Sequence, residues 1–335
     1  MEELKVGIIG CGRPLSSEGS TGYGMSHWHA RGYAAADCRL TALADVNLEN
    51  AHAFQLEHGA ERVYQDYREM LAEENLDIVS VCTWPPLHPE MVVAAANASV
   101  RAIHCEKPIA PTYAESLQMV EACRRSGVQL TFNHQRRFAS VFRSAKALLD
   151  AGEIGKLVRL EGTCSNLFDW GTHWFDMFCY YNDEQPVEWV LGQADWRDGP
   201  THFGVPMEGQ GLSYFRFHNG VYGLLVTGLG STWEASNRLV GEDGVIEVGC
   251  ADGTGLRLQN SAQTGWRVIE ARSDLGGVKI TQDGVIDLVK ALRSGREPEL
   301  SAARAIRATE LIFATYQSSR RGGRIDLPLH PESDA

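Results

Sequence analysis

The segment Asn166–Met177 concentrates side chains that could move a proton. Asp169 and His173 are four residues apart, and Asp176 follows three residues later. On a helix these spacings place all three side chains on one face. A carboxylate beside an imidazole forms an acid–base pair near neutral pH, because the histidine changes charge there and the acid orients it. The alternative is a buried amphipathic helix with a hydrogen-bonded core histidine, since tryptophans and phenylalanines surround the three residues.

A second chemical signal opens the chain. The apolar run that begins at Leu4 is typical of a buried parallel strand, and it ends in Gly10-x-Gly12, where a backbone can approach a pyrophosphate. A second apolar run, Leu40–Ala44, ends in Asp45, whose carboxylate could bind the ribose hydroxyls of NAD. These features predict a dinucleotide-binding turn with NAD as the cofactor. A glycine-rich turn in another kind of parallel-sheet protein is the alternative.

A glycine- and serine-rich insertion, Pro14–Gly24, delays the first helix, which we expect at Ser26–Ala36 with its N-terminus toward the phosphates. The third glycine of the dinucleotide-binding pattern is therefore displaced, and either Gly24 or Ser26 takes its place. The insertion could be a longer phosphate loop, a lid or a subunit contact.

Composition and charge narrow the class of protein. A chain of 335 residues with 44% apolar and 22% charged residues suggests two globular domains. A net charge of −12 argues against nucleic acid or an anionic membrane as a partner. No apolar run approaches the ~20 residues of a membrane span, and the acidic start lacks a signal-peptide pattern. The eight cysteines form no Cys-x-x-Cys pair, so we expect a reduced, cytoplasmic protein without a disulfide framework or metal site.

Strand and helix patterns alternate over residues 1–132, which predicts a doubly wound parallel sheet, a Rossmann dinucleotide-binding domain. Such sheets bind ligands at the carboxyl ends of their strands, where Thr83–Pro86 and Glu106–Pro108 fall. Lys107 directly follows a buried strand, so its ammonium could hydrogen-bond a substrate hydroxyl. A surface lysine in a turn is the alternative.

From residue 133 to 335 the pattern changes to successive strands, which predicts a second, mostly antiparallel α+β sheet domain. We expect a helix at Asp169–Tyr180 near the start of this domain. Two further helices, Ile286–Arg293 and Ala302–Arg320, should close it.

Together these elements resemble one family, that of glucose–fructose oxidoreductase and inositol dehydrogenase (Gfo/Idh/MocA). The resemblance runs through the segments Gly10–Arg13, Asp45, Thr83–His88, Glu106–Pro108, Arg137–Phe138, Gly152–Lys156, Asp169–Asp176 and Asp326–Leu329. It implies a Rossmann domain beside an open-faced sheet domain, whose sheet forms a homodimer or homotetramer interface. It also implies that Lys107 and His173 serve the reacting hydroxyl, with Asp169 next to them.

The expected activity is the reversible, NAD-dependent oxidation of a secondary ring hydroxyl in a sugar, glycoside or cyclic polyol. His173 would take the hydroxyl proton, Asp169 would orient the imidazole, and Lys107 would polarise the oxygen. The expected cofactor-binding residues are Gly10, Cys11, Gly12, Arg13, Asp45, Thr83, Trp84, Pro85, His88, Glu106 and Lys107. Besides the three catalytic residues, the expected substrate contacts are Trp84, His134, Arg136, Arg137 and Trp174.

Some alternatives remain open at this point. Arg136 or Arg137 could instead form interdomain ion pairs. The bulky run Ser165–Phe168, where many family members carry glycines, should narrow the substrate pocket. A glycosidase of the same fold that uses NAD transiently shares the lysine and histidine, and a non-catalytic NAD-binding regulator need not keep them.

Overall fold

The computed structural model describes residues 3–17, 24–197, 199–228, 230, 235–262, 264–271 and 278–330. Residues 18–23 of the expected insertion therefore lie outside the described residues. The chain divides into two compact units. The first comprises Met1–Pro111, Glu115–Gln135 and Gly277–Ala305, and the second comprises Thr112–Ala114, Arg136–Gly276 and Ile306–Ala335.

The first unit is built on a six-stranded sheet in the order β3-β2-β1-β4-β5-β6, in which every neighbouring pair is parallel. Its strands are β1 (Leu4–Ile9), β2 (Cys38–Ala44), β3 (Arg62–Tyr64), β4 (Ile78–Val81), β5 (Ala102–Cys105) and β6 (Gln129–Phe132). Apolar side chains of β1, β4 and β5 are buried on both faces, as expected for a sheet covered by helices on each side. The predicted doubly wound Rossmann sheet is confirmed.

The helices of this unit connect parallel strands and begin close to the predicted positions. They are α1 (Met25–Ala35), α2 (Leu48–His58), α3 (Tyr67–Glu73), α4 (His88–Asn97) and α5 (Tyr113–Ser126). Local sequence fixes the ends of α2: the Asn47 side chain accepts a hydrogen bond from the Glu49 N–H, and Gly59 ends the helix at φ +80°.

A helix from late in the chain, α8 (Val278–Ser294), belongs to the first unit, which corrects the expected continuous domain of residues 133–335. The expected Ile286–Arg293 helix is the C-terminal half of α8. Its apolar face packs on α1, where a Cβ on Gly32 would lie 2.7 Å from the Cβ of Val285. The backbones of α1 and α8 can approach this closely only because residue 32 has no side chain.

The second unit contains a nine-stranded mixed sheet in the order β16-β15-β14-β13-β7-β12-β11-β8-β17, in which only the β12–β7 pair is parallel. A separate two-stranded ribbon pairs β9 with β10. The strands are β7 (Leu157–Cys164), β8 (Val187–Asp195), β9 (Thr201–His202), β10 (Val205–Pro206), β11 (Gln210–Phe217), β12 (Tyr222–Gly228), β13 (Ala235–Gly241), β14 (Gly244–Cys250), β15 (Leu256–Asn260), β16 (Arg267–Val268) and β17 (Ile325–Asp326).

Three helices accompany this sheet: α6 (Ser140–Asp150), α7 (Gly171–Tyr181) and α9 (Ala302–Arg321). The side chain of Phe178 on α7 lies against Gly162 of β7, where a Cβ would come within 2.9 Å of the ring. Its ring also lies 6.2 Å from that of Phe215 on β11. The predicted open-faced, mostly antiparallel sheet is confirmed.

Two local expectations for this unit were wrong. The helix begins at Gly171 and not at Asp169, which lies in the preceding turn. Strand β13 was not predicted, because Asn237 occupies a fully buried position and interrupts the apolar alternation that marks a strand.

In the part of the chain that the structure describes, no helix is both long and apolar enough to cross a membrane.

The close approach of α1 and α8 yields a stability prediction. Gly32→Ala should destabilise the protein by about 1–3 kcal/mol, because the new methyl group overlaps Val285 in a packed interface. Helix propensity alone would make Gly32→Ala stabilising, since alanine in a helix interior is favoured over glycine by about 1 kcal/mol. A loss of stability would therefore report the overlap with Val285. The thermal unfolding midpoint measures the effect. Gly323→Ala is the control, because no atom lies within 4 Å of its Cβ position; a midpoint for Gly32→Ala at or above wild type would contradict the packing.

Candidate active site

The glycine turn after β1 has the backbone that a dinucleotide-binding turn requires. Gly10 and Gly12 adopt φ values of +87° and +70°, which side chains disfavour. A Cβ on Gly10 would also lie 2.9 Å from the Cys82 carbonyl oxygen. Glycine is thus needed at position 10 both for its conformation and for the space it leaves.

Peptide N–H groups of this turn already hold an anionic oxygen. The N–H groups of Cys11 and Gly12 donate to Asp45 Oδ2 over 2.8 and 3.2 Å. The other oxygen, Oδ1, accepts from the Asn47 N–H at 2.9 Å. Converging peptide N–H groups of this kind suit an anion, so the donor set fits the phosphates and ribose of a dinucleotide.

The start of α1 carries Gly24 and Ser26, the two residues expected to replace the third glycine of the dinucleotide-binding pattern. Gly24 precedes the helix as its N-cap residue. Ser26 is buried and its hydroxyl donates to the Cys11 carbonyl at 2.5 Å. Ser26 therefore makes the contact between α1 and the glycine turn, while Arg13 stays exposed beside it.

A buried polar network lies directly behind Lys107. Glu106 is 6% exposed, and its Oε1 accepts hydrogen bonds from His29 Nε2 at 2.9 Å and Asn133 Nδ2 at 2.7 Å. The Lys107 N–H donates to the other oxygen at 3.2 Å. Burial raises the pKa of Glu106, but the bonds from His29 and Asn133 and the Lys107 charge lower it to about 2. The carboxylate is ionised and fully engaged.

Two loops at the same edge of the sheet are joined by His88. This side chain is fully buried; its Nδ1 lies 3.1 Å from the Pro108 carbonyl and its Nε2 lies 3.0 Å from the Thr83 carbonyl. His88 thus links the segments that carry Thr83 and Lys107, and its expected contact with a cofactor stays a prediction. Trp84 between them is 46% exposed, and the Lys107–Pro108 peptide is cis.

In the second unit, a turn and not a helix positions Asp169. The side-chain oxygen of Asn166 accepts from the N–H groups of Asp169 at 2.7 Å and Trp170 at 3.2 Å. Its carbonyl accepts from the Gly171 N–H at 2.8 Å, just where α7 begins. His173 follows in the first turn of α7 and is 4% exposed. Asn166 therefore organises the backbone that carries the expected acid–base pair.

Asp176, which the sequence placed on one face with Asp169 and His173, forms an ion pair with Arg137. Arg137 Nε and Nη2 donate to the two Asp176 oxygens, each at 2.8 Å, and Nη1 donates to Glu184 at 2.6 Å. Arg137 is 1% exposed, and these two carboxylates keep its pKa raised although burial acts against the charge. Arg137 thus forms buried ion pairs within the second unit, and the expected substrate contact at Arg137 stays a prediction.

Arg136 has a different environment from its neighbour. Its guanidinium carbon lies 3.9 Å from the ring centroid of Trp174 and 5.4 Å from that of Trp170. Burial lowers the pKa of Arg136 to about 10, and the nearby charge of Asp169 opposes that shift. The guanidinium remains cationic at neutral pH, stacked between two aromatic rings.

The two tryptophans differ in what they can contact. Trp174 is 4% exposed and its indole N–H donates to the Thr163 carbonyl at 2.8 Å, so it is chiefly a core residue that supports Arg136. Trp170, which the sequence did not single out, is 47% exposed. In the first unit, the expected substrate contact His134 is 1% exposed.

The bulky run before Asp169 packs inward. Leu167 is fully buried against Gly211, and the Phe168 ring lies 6.4 Å from that of Phe313. The Leu167 N–H donates to Glu208, a fully buried carboxylate that also accepts from the Tyr316 hydroxyl at 2.7 Å. Burial raises the pKa of Glu208, and these hydrogen bonds oppose the shift. The bulk of Leu167 and Phe168 is thus taken up by the core of this unit.

Sequence reasoning missed His29, Asn133, Asn166 and Glu208, which position other residues. One signal was available: Asn166 lies three residues before Asp169, a spacing at which an asparagine often caps a turn. The other three reach partners from distant strands and helices, so no local spacing could reveal them.

Known proteins share parts of this architecture. Residues 4–134 match the family model "Oxidoreductase family, NAD-binding Rossmann fold" (GFO_IDH_MocA). D-apiose dehydrogenase of Paraburkholderia graminis is 35% identical over 156 residues, which is 46% of this chain and 38% of the relative. Inositol 2-dehydrogenase of Pseudomonas syringae pv. syringae is 34% identical over 161 residues, or 47% of this chain and 45% of the relative. The chain thus spans less than half the length of either relative.

A solved structure resembles the chain over nearly its whole length. Levoglucosan dehydrogenase, in complex with NADH and levoglucosan, matches with a TM-score of 0.83 at 21% identity, covering 98% of this chain and all (100%) of the other. At that identity the likeness shows the fold alone. Residues 4–134 are thus similar to the Gfo/Idh/MocA oxidoreductase model, and the first unit has the Rossmann fold that this model describes.

Proposed function

We propose that the protein is an NAD-dependent dehydrogenase that reversibly oxidises a secondary ring hydroxyl of a sugar, glycoside or cyclic polyol. The observation that carries the proposal is the pairing, on one sheet edge, of two features. One is the turn whose Cys11 and Gly12 N–H groups hold an anionic oxygen. The other is Lys107, anchored through the buried carboxylate of Glu106.

The cofactor would be held by the first unit. The glycine turn lets the backbone approach its pyrophosphate, and the Asp45 carboxylate, held by the Cys11 and Gly12 N–H groups, suits the ribose hydroxyls of its adenosine half. Thr83, Trp84 and Pro85 follow β4 at the same sheet edge, where ligands of doubly wound sheets bind. When bound, NAD supplies the acceptor for the hydride that leaves the substrate carbon.

The protein's own groups would handle the proton. Lys107 would donate a hydrogen bond to the reacting oxygen and stabilise its developing negative charge. His173 would accept the hydroxyl proton in its neutral form, so oxidation should be faster at higher pH. Asp169, whose backbone Asn166 fixes, would orient the imidazole. Well-placed acid–base catalysis of this kind contributes roughly 10²–10⁴-fold.

The substrate class rests on an exposed aromatic side chain in each unit and on a cation, Arg136, in the second unit. Trp84 and Trp170 are 46% and 47% exposed, and flat aromatic faces suit the C–H face of a sugar ring. Arg136 stays charged and offers N–H donors to ring hydroxyls. The named relatives and the structural neighbour act on, or bind, apiose, inositol and levoglucosan, which are small polyhydroxy compounds.

We further propose a homodimer or homotetramer formed through the open face of the nine-stranded sheet. Leu191 and Leu212 on that face are 46% and 41% exposed, and the rings of Trp189, Tyr214 and Tyr222 lie beside them within 6.4 Å of one another. A monomer at micromolar concentration in analytical ultracentrifugation would contradict this.

A cytoplasmic location agrees with eight free cysteines, and recovery of the protein from a secreted fraction would contradict it.

The central test is a panel of cyclic polyols, sugars and glycosides assayed for NADH formation. At least one compound should give net NADH, and Lys107→Met and His173→Ala should each lower kcat by about 10²–10⁴-fold while NAD still binds. The double variant should lose little more than either single one, because both residues act on one proton transfer. Asp169→Asn should lose less than His173→Ala if it only orients the imidazole.

Two outcomes would contradict this proposal. Aglycone release without accumulation of NADH would indicate the glycosidase that oxidises its substrate only transiently. Near-normal turnover in either single variant would return the residue to a structural role.

The turn that holds Asp169 gives a separate prediction. Asn166→Ala removes the acceptor for two N–H groups and should lower kcat by about 10- to 100-fold, because a small displacement of a catalytic group is costly. The dissociation constant of NAD should not change. Asn166→Asp keeps the acceptor oxygen and should restore most of the activity. Equal loss in both variants, or loss of NAD binding, would contradict the positioning role.

A further inference from the structure

A cluster of metal-binding side chains lies between α1 and the end of α2, apart from the residues discussed above. His27 Nδ1 is 2.8 Å from His58 Nε2 and 3.4 Å from Glu57 Oε2, and His58 Nε2 is 3.6 Å from Glu57 Oε1. Within the described residues, this is the one group of three such side chains whose ligand atoms all lie within 4.8 Å of one another. Two imidazoles and a carboxylate form a donor set typical of zinc and related metals.

The two histidines of the cluster are buried, whereas the glutamate is partly exposed. The side chains of His27 and His58 are 2% and 8% exposed, whereas that of Glu57 is 38% exposed. The rings of His27 and His58 also pack against Phe54, with centroids 4.6 and 4.4 Å away. The imidazoles are therefore held in place, while the carboxylate side offers an ion a path from solvent.

The second nitrogen of His27 indicates which atom is available to a metal. His27 Nε2 lies 3.3 Å from the Arg13 carbonyl, which can only accept a hydrogen bond. Nε2 therefore carries the proton, and Nδ1 presents its lone pair toward His58 and Glu57. Metal-bound histidines commonly donate their other N–H to a carbonyl in this manner.

The carboxylate can serve a metal without losing its present partner. Arg31 Nη2 donates to Glu57 Oε1 at 3.2 Å, and Oε2 faces His27. Without an ion, His58 Nε2–H can donate to His27 Nδ1. With an ion, the proton of His58 moves to Nδ1 and frees Nε2 as a ligand.

We propose that His27, Glu57 and His58 bind one divalent ion of the zinc class, with a fourth position left to water. Ligand atoms around tetrahedral zinc, with bonds of about 2.0–2.1 Å, lie roughly 3.4 Å apart. The separation of His27 Nδ1 from Glu57 Oε2, 3.4 Å, equals that spacing, and its separation from His58 Nε2, 2.8 Å, is shorter. One ligand atom from each of the three residues lies within 4.8 Å of the other two. The ion joins the start of α1, and through His27 the Arg13 carbonyl, to the end of α2. It thereby links Arg13 and the start of α1, which flank the insertion Pro14–Gly24, to α2.

This proposal departs from the expectation of no metal site. That expectation rested on the cysteines, which are all free. The histidine ligands come from separate helices and are 31 residues apart in the chain, so no motif spacing could reveal them.

The test uses the full-length protein with any purification tag removed and with metals stripped by EDTA. Calorimetric titration with Zn²⁺ should give one ion per chain, and Co²⁺ should give visible absorption typical of low coordination number. His58→Gln and Glu57→Gln should each weaken Zn²⁺ binding by more than about tenfold, since even the partners of metal ligands contribute 10–100-fold. Glu57 is half-exposed at a helix end, so its variant should fold normally.

His52→Gln is the matched control, because His52 lies on the same helix, is exposed, and belongs to no such cluster. It should bind Zn²⁺ as wild type does. Absence of saturable binding would overturn the proposal. Binding that survives His58→Gln and Glu57→Gln together would overturn it too, because the ion would then sit elsewhere, for example on cysteines. Neither readout involves NAD, so failure here leaves the proposed dehydrogenase untouched.

Discussion

An ionised carboxylate buried at the carboxyl edge of a parallel sheet is the constraint on which the first unit depends. Glu106 cannot stay charged at 6% exposure without partners, since an unpaired buried charge costs several kcal/mol. Its partners come from α1, through His29, and from the end of β6, through Asn133. The hydrogen bonds to Glu106 therefore hold α1 and the ends of β5 and β6 together around Lys107. The Ser26 hydroxyl in turn links α1 to the glycine turn.

In the second unit, the carboxylates of Asp176 and Asp169 are held in place in two different ways. Asp176 is neutralised by Arg137 in a buried bidentate pair, which fixes the rotation of α7 about its axis. Asp169 lies seven residues earlier, outside the helix, on a backbone that Asn166 caps. Local hydrogen bonding at the turn thus supports the aspartate expected to act in chemistry, while the ion pair stabilises the helix that carries His173.

Local pattern was sufficient for much of the fold and for the order of chemical groups along it. The predicted bounds of α1 and α9 agree with the structure to within one residue at each end. It failed where long-range packing decides: α8 joins the first unit through Gly32, and β13 carries a buried Asn237. Similarly, Arg137 and Asp176 read as two functional candidates in sequence, yet they neutralise each other across 39 residues of chain.

We propose that the Asp45 carboxylate selects NAD over NADP. The measurement is the dissociation constants of NADH and NADPH for wild type and Asp45→Ala, taken by fluorescence titration at fixed ionic strength. A carboxylate near a 2′-phosphate should repel it by a kcal/mol or more, so NADH should bind at least about tenfold more tightly than NADPH. Asp45→Ala should narrow that ratio. Equal or tighter binding of NADPH by wild type, or an unchanged ratio in the variant, would contradict the account.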